Sequence, residues 1–264
     1  FSGILIFFGE FYYTKTNYQM YKDLIFEKKD SKAYITLNRP EVFNALSQNL
    51  IFELREAFSV CENDPEIRVI ILSGGNLKAF CSGADLKEGL GDTNLGNILR
   101  ARYNPLILKM RSLEKPIICK INGVAAGAGL SLALACDLLI ADSSTYLTEL
   151  FVGIGLMPDA GSMYFLPRIV GFQKAFEICS TGRKIFMPEA LQLGLVNKIV
   201  ETENLETEIE KIAEFYAKSA TGAIGKMKKV LNQSFNSSLE EILNLEAEGQ
   251  TACGHSEDFA EGVM

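Results

Sequence analysis

Two clusters of small residues and one aspartate are the parts of this chain best suited to chemistry. The first cluster is Phe80-Cys81-Ser82-Gly83-Ala84-Asp85-Leu86. The second is Gly127-Ala128-Gly129, ahead of the run Leu130-Ser131-Leu132-Ala133-Leu134-Ala135-Cys136-Asp137. Small residues at a bend let a ligand approach the main chain, and paired main-chain N–H groups can then hold the negative charge of an enolate. Such an anion must also gain and lose protons. Asp159, in Gly153-Ile154-Gly155-Leu156-Met157-Pro158-Asp159-Ala160-Gly161, is one acid that could move them. Each feature also has a plainer reading. A glycine cluster can be a tight turn or a close helix contact, and an aspartate before Ala160-Gly161-Ser162 can cap a helix.

Elements of two kinds must position these residues. Ala33-Tyr34-Ile35-Thr36-Leu37 alternates in character and reads as a strand. Val69-Ile70-Ile71-Leu72, Ile117-Ile118-Cys119 and Leu138-Leu139-Ile140-Ala141 are nearly continuous apolar runs, as expected of strands buried on both faces. Leu50, Leu54, Phe58 and Cys61 recur at helical spacing, with Ser47 as N-cap. Pro188 suits the first turn of a helix through Ala190 and Leu193, and Gly194 its end. After about Thr202 only helical periods remain: Ile209, Ile212, Ala213 and Tyr216, then Met227, Val230 and Leu231, then Leu239, Ile242, Leu243 and Leu245. The expected fold class is α/β, a mixed core followed by an all-helical C-terminal region.

Bulk properties narrow the function classes. A chain of 264 residues, 48% hydrophobic and 22% charged, can bury a sizeable globular core. A net charge of −7 argues against a nucleic-acid partner, which would require a basic face. One histidine, His255, rules out a multi-histidine metal site. The six cysteines form no Cys-x-x-Cys pair and several sit in apolar runs, so they read as reduced core thiols in a cytoplasmic protein. Phe1 to Phe8 is apolar but too short to span a bilayer, and no membrane association is expected. Residues 1–19 read as an extension ahead of Met20, residues 20–202 as the core, and residues 203–264 as a helical oligomerisation region.

From about Tyr21 to Val263, the two bends in this order, together with the Met157-Pro158-Asp159 segment, resemble the crotonase (enoyl-CoA hydratase/isomerase) superfamily. The resemblance implies a spiral of strand-strand-helix turns, with a helical tail packed between subunits of a trimer or dimer of trimers. It implies an acyl-CoA substrate, with coenzyme A as part of that substrate and no metal or redox cofactor. The oxyanion hole would be the N–H groups of Ala84 and Ala128, and Ser82, Gly83, Asp85, Leu86, Gly127, Ser131 and Phe151 would line the substrate. Relatives are expected to run on past Glu261-Gly262-Val263-Met264 through a short basic tail.

The superfamily varies its acids, so the acids should report the reaction. Typical hydratases carry glutamates at the positions of Ser131 and Phe151, and neither residue can act as a carboxylate. Glu149 lies two residues from Phe151 and would share its face if that segment were extended. Asp159 matches the position where several isomerases place their catalytic acid. Arg102-Tyr103-Asn104-Pro105-Leu106 and Leu166-Pro167-Arg168-Ile169-Val170-Gly171 are similar to the epoxyphenylacetyl-CoA isomerases of bacterial phenylacetate breakdown, which have an aspartate matching Asp159 and no glutamate pair. Those enzymes rearrange a ring epoxide to an oxepin and shift double bonds. The expected function is therefore an acyl-CoA isomerase using Asp159. The alternatives are an enoyl-CoA hydratase using Asp159 or Glu149, and a non-catalytic acyl-CoA-binding protein. Asp85 and Asp137 read as ties between loops and helix ends. Lys226, Lys228 and Lys229 read as a solvated helix face or, alternatively, as contacts to coenzyme A phosphates.

Overall fold

The computed structural model describes residues 18–19, 21–75, 78–89 and 94–264. The segment read as an N-terminal extension therefore lies outside the described residues up to residue 17. In chain order the strands are β1 (Tyr18–Gln19), β2 (Leu24–Lys29), β3 (Lys32–Leu37), β4 (Val69–Ser73), β5 (Ala79–Cys81) and β6 (Ile117–Ile121). They continue with β7 (Val124–Ala126), β8 (Leu138–Asp142), β9 (Tyr146–Thr148), β10 (Lys184–Phe186) and β11 (Lys198–Val200).

Seven of these form one sheet in the order β1-β2-β3-β4-β6-β8-β11, and four form a second in the order β10-β9-β7-β5. The first sheet is antiparallel from β1 to β3 and parallel from β3 to β11. The apolar runs at Val69 and Ile117 are its central strands, and every residue of β4 and β6 is buried. A strand covered on both faces has no use for polar alternation, which is why these runs are continuous. After β4, β6 and β8 the chain steps to β5, β7 and β9 of the smaller sheet before returning through helices. That is the expected spiral of strand-strand-helix turns.

Helices α1 (Gln48–Asn63), α2 (Leu86–Gly89), α3 (Leu95–Ile98), α4 (Asn104–Ser112) and α5 (Ala128–Leu134) lie among the strands. Helices α6 (Ser162–Val170), α7 (Phe172–Thr181) and α8 (Met187–Gln192) precede β11. Ser47 caps α1 as expected, its hydroxyl accepting the Leu50 N–H at 3.0 Å, and Leu50, Leu54, Phe58 and Cys61 are all buried along that helix. The large core fills the space between the two sheets and these helices. Val69, Ile71, Ile118 and Ile140 point to the opposite face of the larger sheet. There α9 (Leu205–Lys218) covers them with Leu205, Ile209, Ala213 and Ala217.

Beyond β11 the described chain is helical. It continues through α10 (Thr221–Gln233), α11 (Leu239–Gly254) and α12 (Glu257–Val263), as the periodicity predicts. Neither α11 nor α12 buries a residue, and Leu239 of α11 is 75% exposed. Among the described residues no helix is long and apolar enough to cross a membrane.

Candidate active site

Three short parallel strands end along one edge of the smaller sheet. β5 runs into Ser82-Gly83-Ala84, β7 into Gly127 and α5, and β9 into Glu149 and the 3-10 turn Leu150–Ile154. β7 lies between the other two. The two small-residue clusters and the segment leading to Asp159 are thus brought together at carboxyl ends of parallel strands, the side on which such sheets hold ligands.

The bends are in contact, and glycine makes this possible. A Cβ added to Gly83, whose φ is +106°, would stand 3.0 Å from the Ala126 carbonyl oxygen and 3.6 Å from the Ala128 nitrogen. One added to Gly129 would stand 2.4 Å from the Cys81 carbonyl oxygen. Hydrogen bonds hold each bend from behind. The Leu46 N–H donates to Gly83 O at 2.8 Å, and the Asp85 N–H donates to Leu46 O at 3.1 Å. The Gly127 N–H donates to Thr148 O at 2.9 Å, tying the second bend to β9. Asn44, in the left-handed region at φ +57°, donates from its side chain to Gly74 O and Phe80 O and so steadies the loop that carries Leu46.

Ala84, Ala128 and Asp159 line one cavity. Ser82, Gly83, Asp85, Leu86, Gly127 and Phe151 line it too, while Leu46, Ile51, Ile98, Leu99, Tyr103 and Leu156 give it apolar walls. Ser131 does not reach this wall. It is wholly buried behind the second bend, where its hydroxyl meets Gly127 O at 3.3 Å and Ser162 Oγ at 3.2 Å.

Asp159 is not a helix cap. The N-cap of α6 is Gly161, and the Asp159 main chain supplies only a carbonyl that accepts the Ser162 N–H at 3.1 Å. Ala160 at φ +49° and Gly161 at φ +94° reverse the chain directly after it. An alanine in that region is strained, and such strain gathers at functional turns. Asp159 Oδ1 is buried with no hydrogen-bond partner, and no cation among the described residues pairs with the carboxylate. Burial pushes its pKa up to about 6.

Glu149 behaves differently from the sequence expectation. The segment is not extended: Glu149 immediately precedes the 3-10 turn, so it does not share a face with Phe151. Phe151 lines the cavity, its ring lying where a Gly127 Cβ would be 3.6 Å away, whereas Glu149 is fully buried and off the wall. Its Oε1 is hydrogen-bonded to the Ser162 hydroxyl and its Oε2 has no partner. Burial, with the nearby Asp159 adding to it, pushes this carboxyl up to about 8 against the Ser162 bond that lowers it.

A family model described as enoyl-CoA hydratase/isomerase matches residues 27–264. The chain belongs to the enoyl-CoA hydratase/isomerase family. It is 38% identical over 245 residues to a probable enoyl-CoA hydratase of Rhodobacter capsulatus, covering 92% of this chain and 94% of that one. It is 35% identical over 234 residues to the 1,2-epoxyphenylacetyl-CoA isomerase of Escherichia coli, covering 87% and 89%. A crystal structure of a putative enoyl-CoA hydratase/isomerase from Mycobacterium abscessus superposes with a TM-score of 0.86 at 30% identity, covering 91% of this chain and 94% of that one.

Other polar residues of this enoyl-CoA hydratase/isomerase family member have structural work. Asp85 lines the cavity but is paired with Arg39 at 3.0 Å. Lys228 is neither a solvated residue nor a free cation: it is 6% exposed and bonds Asp137 at 2.7 Å and Met110 O at 3.0 Å. Cys61, Cys81, Cys119 and Cys136 are core, whereas Cys179 and Cys253 are only half-buried. His255 is exposed at the end of α11. Leu46, Ile51, Ile98 and Leu99 escape sequence reasoning, because an apolar residue reads the same in sequence whether it faces core or ligand.

Proposed function

We propose that this protein is an acyl-CoA isomerase that moves a double bond along the acyl chain through a thioester enolate. The N–H groups of Ala84 and Ala128 receive the thioester oxygen. Each such donor contributes about 3 kcal/mol once charge develops on that oxygen. The Asp159 carboxylate takes a proton from C4 or C2, and the electron pair delocalises onto the oxygen as a dienolate. The same carboxyl then returns its proton to the other carbon, so the reaction is balanced without a further reactant. Coenzyme A enters as part of the substrate, and pure proton transfer calls for no metal or redox group.

One observation carries this reading. The described cavity wall holds three carboxyls, and Asp159 alone is without a partner: Asp85 is paired with Arg39, and Glu88 accepts the Gln48 N–H at 2.7 Å. A pKa near 6 leaves Asp159 ionised at neutral pH yet more basic than a solvated carboxylate, which suits a group that must both take and give a proton. A hydratase of the usual kind would hold water between two acids, and the corresponding positions are Ser131 and Phe151. The hydratase names among the relatives keep water addition as the second reading. The name of the Escherichia coli relative supports extending the isomerase reading to a ring epoxide. The apolar exposure of α11 supports assembly through the C-terminal helices, as the trimer of the superfamily would require.

Incubation with a cis-3-enoyl-CoA and, separately, with crotonyl-CoA tests the choice. The expected result is conversion of the first to the conjugated trans-2 isomer with little hydration of the second. Rapid hydration of crotonyl-CoA with no isomerisation would replace the proposal with the hydratase reading.

A further inference from the structure

Glu149 takes no part in that proton transfer, yet it is an acid buried completely beside the base. Its Oε1 meets Ser162 Oγ, Ser162 Oγ lies 3.2 Å from Ser131 Oγ, and Ser131 Oγ lies 3.3 Å from Gly127 O. The chain of contacts begins at the end of β9, passes the first residue of α6 and ends at the residue before Ala128. The Ser162 N–H also bonds Asp159 O at 3.1 Å, which makes Ser162 part of the turn that carries the base.

Protons can be counted along this chain. Its three contacts need three hydrogens, and Gly127 O supplies none. The two serine hydroxyls supply one each. All three are filled only when a protonated Glu149 adds its O–H; with the acid ionised, Ser162 Oγ donates to Oε1, Ser131 Oγ donates to Ser162 Oγ, and Gly127 O keeps the Ser131 N–H at 3.1 Å. With Glu149 ionised, one contact loses its hydrogen and Oε2 becomes a buried anionic oxygen with no donor, a costly arrangement. The titratable groups that feel its charge are Asp159, on the turn before α6, and Cys179, on α7, and neither is a cation at neutral pH. Glu149 joins no ion pair among the described residues.

We propose that Glu149 is a positioning residue, held as a neutral acid, that clamps the Asp159 turn to the Gly127–Ala128 bend through Ser162 and Ser131. The clamp sets the distance between the proton carrier and one of the two amides that stabilise the enolate. Neutrality matters as well, because a second anion beside Asp159 would oppose the negative charge that builds on the thioester oxygen. The inference rests on Asp159 being the base.

Two variants separate the clamp from mere packing. Glu149→Gln keeps a donor at the head of the chain and removes the ionisation. Glu149→Leu removes both. At pH 7 the glutamine variant is expected to retain kcat within about threefold, whereas the leucine variant loses about tenfold or more in kcat with KM changed by less than about twofold. The second measurement needs no turnover. A carboxyl whose folded pKa lies above its unfolded value makes the folded state bind more protons. It therefore gives stability at low pH that is lost as pH rises, here between pH 4.5 and about 8. The melting temperature of the wild type should fall relative to that of Glu149→Gln across this window, most visibly in its upper part, above the Asp159 value of about 6. A melting curve for Glu149→Gln that keeps the wild-type pH slope overturns the neutral acid. Wild-type kcat in Glu149→Leu, or a glutamine variant as inactive as the leucine variant, overturns the clamp. If the wild type isomerises no acyl-CoA, the proposed function fails while the melting curves still decide the state of Glu149.

Discussion

The two ends of α5 treat nearby acids in opposite ways. Past its C-terminal end, Asp137 meets Arg111 at 2.9 Å and Lys228 at 2.7 Å, and accepts the Ile117 N–H at 2.9 Å. Arg111 also donates to the Ala135 carbonyl at the helix terminus. Around its N-terminal end, Asp159 and Glu149 have no cation at all among the described residues, and each keeps a buried oxygen without a partner. Where an acid has to hold elements together, the fold brings charge to it. Where the fold withholds charge, burial raises the pKa of the acid instead, which suits both the proton carrier proposed at Asp159 and the neutral acid proposed at Glu149.

The largest effects should come from removing each acid in turn. Asp159→Asn is expected to lower isomerisation by about 10²–10⁴-fold. The melting temperature should hold or rise, since the lost charge had no partner. Asp137→Ala is expected to do the reverse: about 3–5 kcal/mol of stability lost in denaturant unfolding, because Lys228 is left buried and uncompensated, with normal turnover in the fraction that remains folded. Equal behaviour of the two variants would erase the distinction between the helix ends.

A smaller effect tests the contact between the bends. Gly129→Ala places a methyl group 2.4 Å from Cys81 O, against backbone that cannot rotate away. It should cost about 1–3 kcal/mol and lower kcat more than it raises KM, because the two amides move apart. The mildest test is pH. kcat/KM should rise as pH passes about 6, when the Asp159 carboxyl loses its proton. Over the range from its unfolded pKa up to that value the fold should lose, not gain, stability, because the native state holds this proton more tightly than the unfolded chain does.

Much of the frame is legible in the residues. Continuous apolar runs at Val69 and Ile117 read as doubly covered strands and are found as such, and Ser47 ahead of Leu50, Leu54 and Phe58 reads correctly as a cap and its helix. The small-residue clusters announce the bends because close approach leaves no room for a Cβ. Side chains whose meaning depends on a distant partner are not legible. Glu149 looks like a misplaced catalytic acid until Ser162 and Ser131 are seen beside it, and Lys228 looks like a surface lysine until Asp137 is found 2.7 Å away. Local periodicity says which way a residue points along its own element. It cannot say what arrives from another.

A crystal structure with an unreactive acyl-CoA analogue tests the central claim most directly. The thioester oxygen should lie about 3 Å from the amide nitrogens of both Ala84 and Ala128, with the Asp159 carboxylate over the C2–C4 segment and Glu149 still behind the wall. An Asp159 side chain turned to bulk solvent, or another acid facing those carbons, would contradict the account.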